Sequence, residues 1–184
     1  DGMGGYNAGE VASGIAVAMV PAEIRKLEAK QALAAMDAQA IEQMVAAQAM
    51  RVNTAIYAAA QKQQQYSGMG TTLVIAYWHG NHVTIGHLGD SRCYRLRGKD
   101  IQALTRDHSW IQEQIDAGLM TQEQARASRK RNLVTRACGI DPNVVPEVHT
   151  HDVAHGDMFV LCSDGLYDMV PDAEIHKIGR AACR

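Results

Sequence analysis

Residues 71–104 read TTLVIAYWHGNHVTIGHLGDSRCYRLRGKDIQAL. The first eight positions are β-branched, apolar and aromatic, with period two, which predicts a strand over 71–78. Gly80-Asn81 is a two-residue hairpin signal. Residues 82–88 form the return strand and run into Gly89-Asp90. A third strand is expected over 92–97, a turn at Gly98-Lys99-Asp100 and a fourth strand over 101–104. Four strands joined by short turns make an antiparallel meander, not a βαβ series. That argues against a dinucleotide-binding or P-loop architecture.

Upstream the texture changes. Residues 8–65 are rich in Ala, Gln, Met and Glu, all good helix formers. Asn7 is placed to cap a helix with Glu10 as its reciprocal partner. Val11, Ile15 and Met19 share a face, and Pro21 is expected to interrupt. Asp37 caps a second, longer helix whose Ile41, Met44, Val45, Ala49, Val52 and Ile56 follow the i, i+3/i+4 pattern. This is the stripe of a helix packed on a sheet, with no sustained heptad. Downstream, a polar helical insert is expected over about 108–132, broken at Gly118 and restarted by a Thr121/Gln124 capping box. Strands are expected over 144–149 and 158–162, with Asp172 capping a last helix.

Composition excludes several classes. The 184 residues are one domain's worth of chain, with an ordinary 47% apolar fraction. A net charge of −2 without a basic tract does not suit nucleic acid. No apolar run reaches a membrane span. Cys93, Cys138, Cys162 and Cys183 lack metal spacing and read as reduced thiols of a cytoplasmic protein. Residues 2–9 are glycine-rich but lack the Gly-Lys-Ser/Thr element of a nucleotide loop.

Three carboxylates stand at strand ends beside glycine: Asp1-Gly2, Gly89-Asp90 and Asp164-Gly165. Such carboxylates can converge on a hard divalent cation. Each alone also reads as a turn dipeptide, as Asp157 in His155-Gly156-Asp157 does. The apolar run before Asp164 favours a site there. His149 and His151 would share a strand face, but no third zinc ligand is spaced to join them, and they read as surface histidines. Asp107 and His108 read as structural for the turn into the insert. Tyr167 and Asp168 read as holding the loop after Asp164. Arg129, Lys130, Arg131 and Arg136 make the insert region basic, either as a solvated face or as a flap that attracts acidic phosphopeptides.

Six segments in order decide between these readings: DGMGGYNAGEVAS at 1–13, GMGTT at 68–72, GHLGDSRCYRLR at 86–97, LTRDHS at 104–109, LVTRACG at 133–139 and GDMFVLCSDGLYDMV at 156–170. Together they resemble the bacterial PPM/PP2C metal-dependent protein serine/threonine phosphatases over nearly the whole chain. The resemblance implies an α+β, four-layer α-β-β-α sandwich of two antiparallel sheets with helices outside. It implies two Mn²⁺ or Mg²⁺ ions bridged by Asp1, with the Gly2 carbonyl on one and Asp164 on the other, so that Asp1 and Asp164 carry the catalysis. Asp90 with Asp164 would hold a third, weaker ion. No organic cofactor is implied. The implied reaction is attack of a cation-bridging hydroxide on phosphoserine or phosphothreonine, without a phosphoenzyme. Phosphorylated proteins and an opposing Ser/Thr kinase are the implied partners.

Against the family pattern, Met3 stands where eukaryotic members carry a His. The family's upstream phosphate-clamping Arg and its closing Asp-Asn pair have no counterpart among these residues. The expectation is a single domain incomplete at both ends and of little activity by itself. The alternative is an inactive fragment or pseudophosphatase that only binds a phosphoprotein.

Overall fold

Three separate apolar layers hold the chain together, and they define its architecture. The computed structural model describes residues 1–5, 7–30, 33, 36–128, 130 and 133–182. One sheet has the order β3-β4-β7, from Leu73–His79, His82–Leu88 and Glu147–Asp152. The other has the order β6-β5-β8, from Asp100–Ala103, Arg92–Arg97 and Met158–Cys162. All pairings are antiparallel. A short ladder, β1 (Gly2–Met3) with β2 (Gly70–Thr71), stands beside them.

Helix α2 (Ala38–Lys62) covers the outer face of the first sheet, and α1 (Ala8–Ala29) packs on α2 and on the β1–β2 ladder. There Val45, Ala49, Val52 and Ile56 pack with Ile75, Leu88 and Met69. Between the sheets lie Val83, Ile85, Cys93 and Leu104, with Phe159 against them. On the outer face of the second sheet Tyr94 and Leu96 meet Ile175 of α6 (Asp172–Ala182) and Leu166 of the short α5 (Asp164–Tyr167). The period-two alternation of β5 supplies both faces: Cys93 points to the inner layer, Tyr94 and Leu96 to the outer. Helix, sheet, sheet and helix follow in that order, as expected.

The meander forms as its turn residues dictate. His79 pairs with His82 across the two-residue Gly80-Asn81 turn, where Gly80 has φ +53°. In the insert, α3 (Trp110–Asp116) is capped by Ser109. Gly118 turns the chain at φ +69°, and α4 (Gln122–Ala127) starts with the Thr121/Gln124 capping box.

Five local expectations differ. The strand expected over 71–78 is split, with Thr71 paired to Gly2 in the short ladder and β3 beginning at Leu73. Pro21 does not interrupt α1, which runs through it. Proline removes the N–H that would reach Val17, and Val17 lies on the exposed face, where water replaces that bond. Asn7 takes the cap position of α1 but makes no side-chain capping bond. Strand β7 begins at Glu147, three residues later than expected, because Pro146 has no N–H for the ladder. Asp172 lies in the first turn of α6, and the carbonyl of Pro171 takes the first helical N–H groups instead. Arg129, Arg131 and Cys183 lie outside the described residues.

Candidate metal-binding and catalytic cleft

Asp1 enters the site through the β1–β2 ladder, where Gly2 pairs with Thr71. The Asp1 carbonyl accepts from the Thr72 N–H and the Thr71 hydroxyl, both at 2.9 Å. Gly2 must be glycine: a Cβ there would lie 2.1 Å from the Gly9 carbonyl oxygen of α1. The Asp1 nitrogen donates to Thr72 Oγ1 at 2.9 Å, and Thr72 Oγ1 meets Ser91 Oγ at 2.7 Å. Two buried hydroxyls therefore join the Asp1 strand to the residue after Asp90.

Asp90 follows β4 at the crossing from the first sheet to the second. Gly89 before it has φ +101°, and a Cβ there would strike Thr72 Cγ2 at 2.6 Å. Asp90 is only 7% exposed. Burial raises its pKa above the ordinary carboxylate value, and the nearby charges of Asp107 and Asp164 raise it further. Asp164 ends β8 and opens α5. Asp90 and Asp164 thus come from different sheets and line one cleft of about 730 Å³, together with Arg92, Asp107, Tyr167 and Met169. The structure brings Asp90 and Asp164 to the lining of one cleft, and Asp1 stands outside that lining, its backbone joined through Thr72 to Ser91 and not to either carboxylate.

The donor set fits a hard divalent cation. Asp107 is already matched by Arg92, through bonds of 2.8 and 2.6 Å. Burial, with the charges of Asp107 and Asp164, disfavours the ionised form of Asp90, and a bound dication would relieve that cost.

Among the described residues one group of three potential ligands lies within 4.8 Å of one another, and it is His87, His108 and Glu147. Its hydrogen bonds disqualify it as a cation site. Gly89 N–H donates to His108 Nδ1 at 3.2 Å, so the neutral ring carries its proton on Nε2, facing Glu147 Oε2 at 3.4 Å. A protonated nitrogen offers no lone pair to a metal. His87 stacks on His108 with ring centroids 4.6 Å apart and bonds the Arg106 carbonyl at 2.8 Å. The group is a polar node under the Gly89-Asp90 turn. His149 bonds Glu147, whereas His151 Nε2 is buried without a hydrogen-bond partner, so only the former reads as a surface histidine.

Sequence reasoning assigned no role to Thr72, Ser91 or Arg92. Ser91 and Arg92 stood inside a quoted motif, but their partners lie 19 and 15 residues away, and spacing alone does not reveal such pairs. Asp107 does hold the turn into the insert, as expected, and Tyr167 holds the Asp90 loop by donating to its carbonyl at 2.9 Å. Of the basic residues of the insert region, Lys130 lies 4.7 Å over the Trp110 ring, and Arg136 sits near the two histidines.

A four-layer sandwich with carboxylates from both sheets lining one cleft at strand ends defines a protein suited to hold a hard divalent cation. A model of the family described as Protein phosphatase 2C matches residues 1–181. The chain belongs to the protein phosphatase 2C family. It is 36% identical over 178 residues to a serine/threonine phosphatase stp of Listeria innocua, covering 97% of this chain and 69% of the relative. It is 36% identical over 176 residues to the serine/threonine protein phosphatase PstP of Mycobacterium tuberculosis, covering 95% of this chain and 32% of the relative. The crystal structure of the M. tuberculosis phosphatase superposes with a TM-score of 0.82 at 34% identity, over 96% of this chain and 71% of that one. A structure of its catalytic domain in complex with two manganese ions superposes at 0.79 and 33%, over 96% and 70%.

Proposed function

We propose that this chain hydrolyses phosphoserine and phosphothreonine in proteins, in a reaction that depends on Mn²⁺ or Mg²⁺. The observation that carries this is the meeting of Asp90 and Asp164, from different sheets, in one cleft that holds more negative charge than its own cations balance. Asp1, the Gly2 carbonyl and Asp164 would hold two cations, and Asp90 with Asp164 a third. When bound, such ions lower the pKa of water to near neutrality and neutralise the phosphoryl oxygens.

The chain's own residues delimit the rest. Burial pushes the Cys93 and Cys138 thiols up to about 12 and also raises Cys162, so no described cysteine is primed as a nucleophile. Arg92 is committed to Asp107 and so is not offered to a substrate phosphate. Met3, beside the Asp1-Gly2 pair, cannot donate a proton, so the leaving group would be protonated by water or by a metal-bound water. Phosphoproteins as substrates and an opposing Ser/Thr kinase follow from the chemistry of the reaction. A cytoplasmic location is supported by the free thiols of Cys93, Cys138 and Cys162. Among the described residues no helix is long and apolar enough to cross a membrane.

The test is hydrolysis of p-nitrophenyl phosphate and of a phosphothreonine peptide by the full-length protein, because these residues by themselves are expected to show little activity. Turnover is expected with Mn²⁺ or Mg²⁺, to vanish in excess EDTA, and to fall at least a hundredfold in Asp164→Asn, about 3 kcal/mol of transition-state stabilisation. Turnover that survives EDTA or this substitution refutes the reading. Phosphopeptide binding without turnover in either metal favours the non-catalytic alternative.

A further inference from the structure

Arg92 lines the cleft and bonds or stacks with Asp107, Tyr94 and Tyr167, and cation binding as described above gives it no part. Its guanidinium grips both Asp107 oxygens, with Nε to Oδ1 at 2.8 Å and Nη2 to Oδ2 at 2.6 Å. Nη1 donates to Tyr94 Oη at 2.9 Å. Its central carbon lies 3.6 Å from the centroid of the Tyr167 ring. Tyr167 in turn donates its hydroxyl to the Asp90 carbonyl at 2.9 Å. One planar group therefore touches three segments. Asp107 lies at the mouth of the helical insert, one residue before His108, whose N–H bonds the Gly89 carbonyl. Tyr167 closes α5, which Asp164 opens. Arg92 itself sits two residues beyond Asp90 and faces Cys162, two residues before Asp164.

We propose that Arg92 is a positioning residue that locks the insert and the two carboxylate loops into one arrangement, so that cation affinity at Asp90 and Asp164 and the seating of the insert are set together. The proposal rests on the cation-dependent reading above. It uses properties specific to arginine. The fork matches a carboxylate with two parallel bonds, a third donor remains for Tyr94, and the flat face stacks on Tyr167. Lysine would keep the charge and lose all three geometric features. A residue that only balanced charge would tolerate that exchange; a positioning residue does not. Residues that orient metal ligands are worth about 10–100-fold in metal affinity.

The chain carries a natural reporter for the insert. Trp110 starts α3, donates its N–H to the Leu133 carbonyl at 2.9 Å and lies under Lys130. The sequence has two tryptophans, and Trp78 lies on β3 against Phe159, so Trp78→Phe leaves Trp110 as the sole indole. Mn²⁺ binding to this background is measured by calorimetry and by Trp110 emission, and compared with Arg92→Lys and Tyr167→Phe. The background is expected to bind Mn²⁺, to show emission that follows the titration, and to lose binding in Asp164→Asn. Arg92→Lys is expected to weaken the Asp164-dependent binding at least tenfold and to uncouple emission from it. Tyr167→Phe, which keeps the ring and removes one hydrogen bond, is expected to weaken it by about fivefold. Unchanged affinity and unchanged coupling in Arg92→Lys overturn the proposal and leave the phosphatase reading standing. If Arg92→Lys does not fold, unchanged affinity in Tyr167→Phe overturns it alone. A background that binds no Mn²⁺ sensitive to Asp164→Asn overturns both.

Discussion

His108 takes the Gly89 N–H on Nδ1 and turns Nε2–H toward Glu147, and this arrangement works only for a neutral ring. Burial lowers its pKa to about 4, with the charges of a protonated His87 and of Arg136 acting in the same direction and Glu147 opposing them. An unfolded histidine titrates near 6.5. The folded value is the lower one, so the unfolded chain takes up the proton first as pH falls. The stability from this group is therefore full above about 6.5, and it is lost progressively down to about 4. Over that window the loss is at most about 1.4 kcal/mol per pH unit. His87, also lowered by burial, tilts the chain the same way. Urea unfolding of the wild type and of His108→Gln should separate this contribution, because Asp90 and His87 are common to both and their own contributions largely cancel in the difference. The wild-type stability is expected to fall more steeply between pH 6.5 and 4.5. Parallel profiles would show that His108 does not titrate as its surroundings dictate.

At the scale of elements, α2 and β4 approach so closely that one position tolerates no side chain. A Cβ on Gly86 would lie 2.5 Å from Val45 Cγ1 and 3.5 Å from Val148 Cγ2. Gly86→Ala is expected to cost about 1–3 kcal/mol by overpacking, despite the backbone entropy that alanine saves. Val45→Ala removes the obstructing methyl group, so the double variant should be more stable than the sum of the two losses, by 0.5 kcal/mol or more. Strict additivity would refute the steric account. The sequence announced that a helix packs on this sheet, since Ile41, Met44, Val45, Ala49, Val52 and Ile56 recur at helical spacing and all are buried. It also placed the Gly80-Asn81 hairpin and the Thr121 capping box, because these are local signals carried by the turn residues themselves. It did not announce which strand glycine faces the helix, because Gly86 reads like any other glycine between β-branched neighbours. Pro21 misled because water access to a helix face is set by tertiary surroundings, and Asn7 because its backbone, at φ −23° and ψ 6°, is not in the extended conformation of a capping residue. The same limit applied at the site. Asp1, Asp90 and Asp164 stood out as carboxylates beside glycine, whereas the Arg92–Asp107 pair joins residues that only the folded chain brings together.

The whole molecule is two sheets with a thin apolar layer between them, formed by Val83, Ile85, Cys93 and Leu104 with a few partly buried neighbours. Polar links supplement that layer at its margins. Arg97 pairs with Asp157 and Asp152, and Arg95 reaches Asp152 of the other sheet. At the opposite end of β5 the carboxylates do the reverse. Burial raises the pKa of Asp90, where the chain leaves the first sheet, and the charges of Asp107 and of Asp164, at the end of β8 in the second, raise it further. A divalent cation held by Asp90 and Asp164 would relieve that repulsion and would cross-link the sheets. Anything that binds the folded chain and not the unfolded one adds RT ln(1 + [L]/Kd) to its stability. Mn²⁺ at a hundredfold excess over its dissociation constant should therefore add about 2.7 kcal/mol, read as a rise in the urea midpoint with no change in slope. Asp164→Asn should abolish most of that gain. Without Mn²⁺ the variant should be no less stable than the wild type, since one of the two charges that burden Asp90 is gone. A midpoint indifferent to Mn²⁺ in the wild type, or an equal rise in the variant, would mean that the two sheets are not joined through these carboxylates.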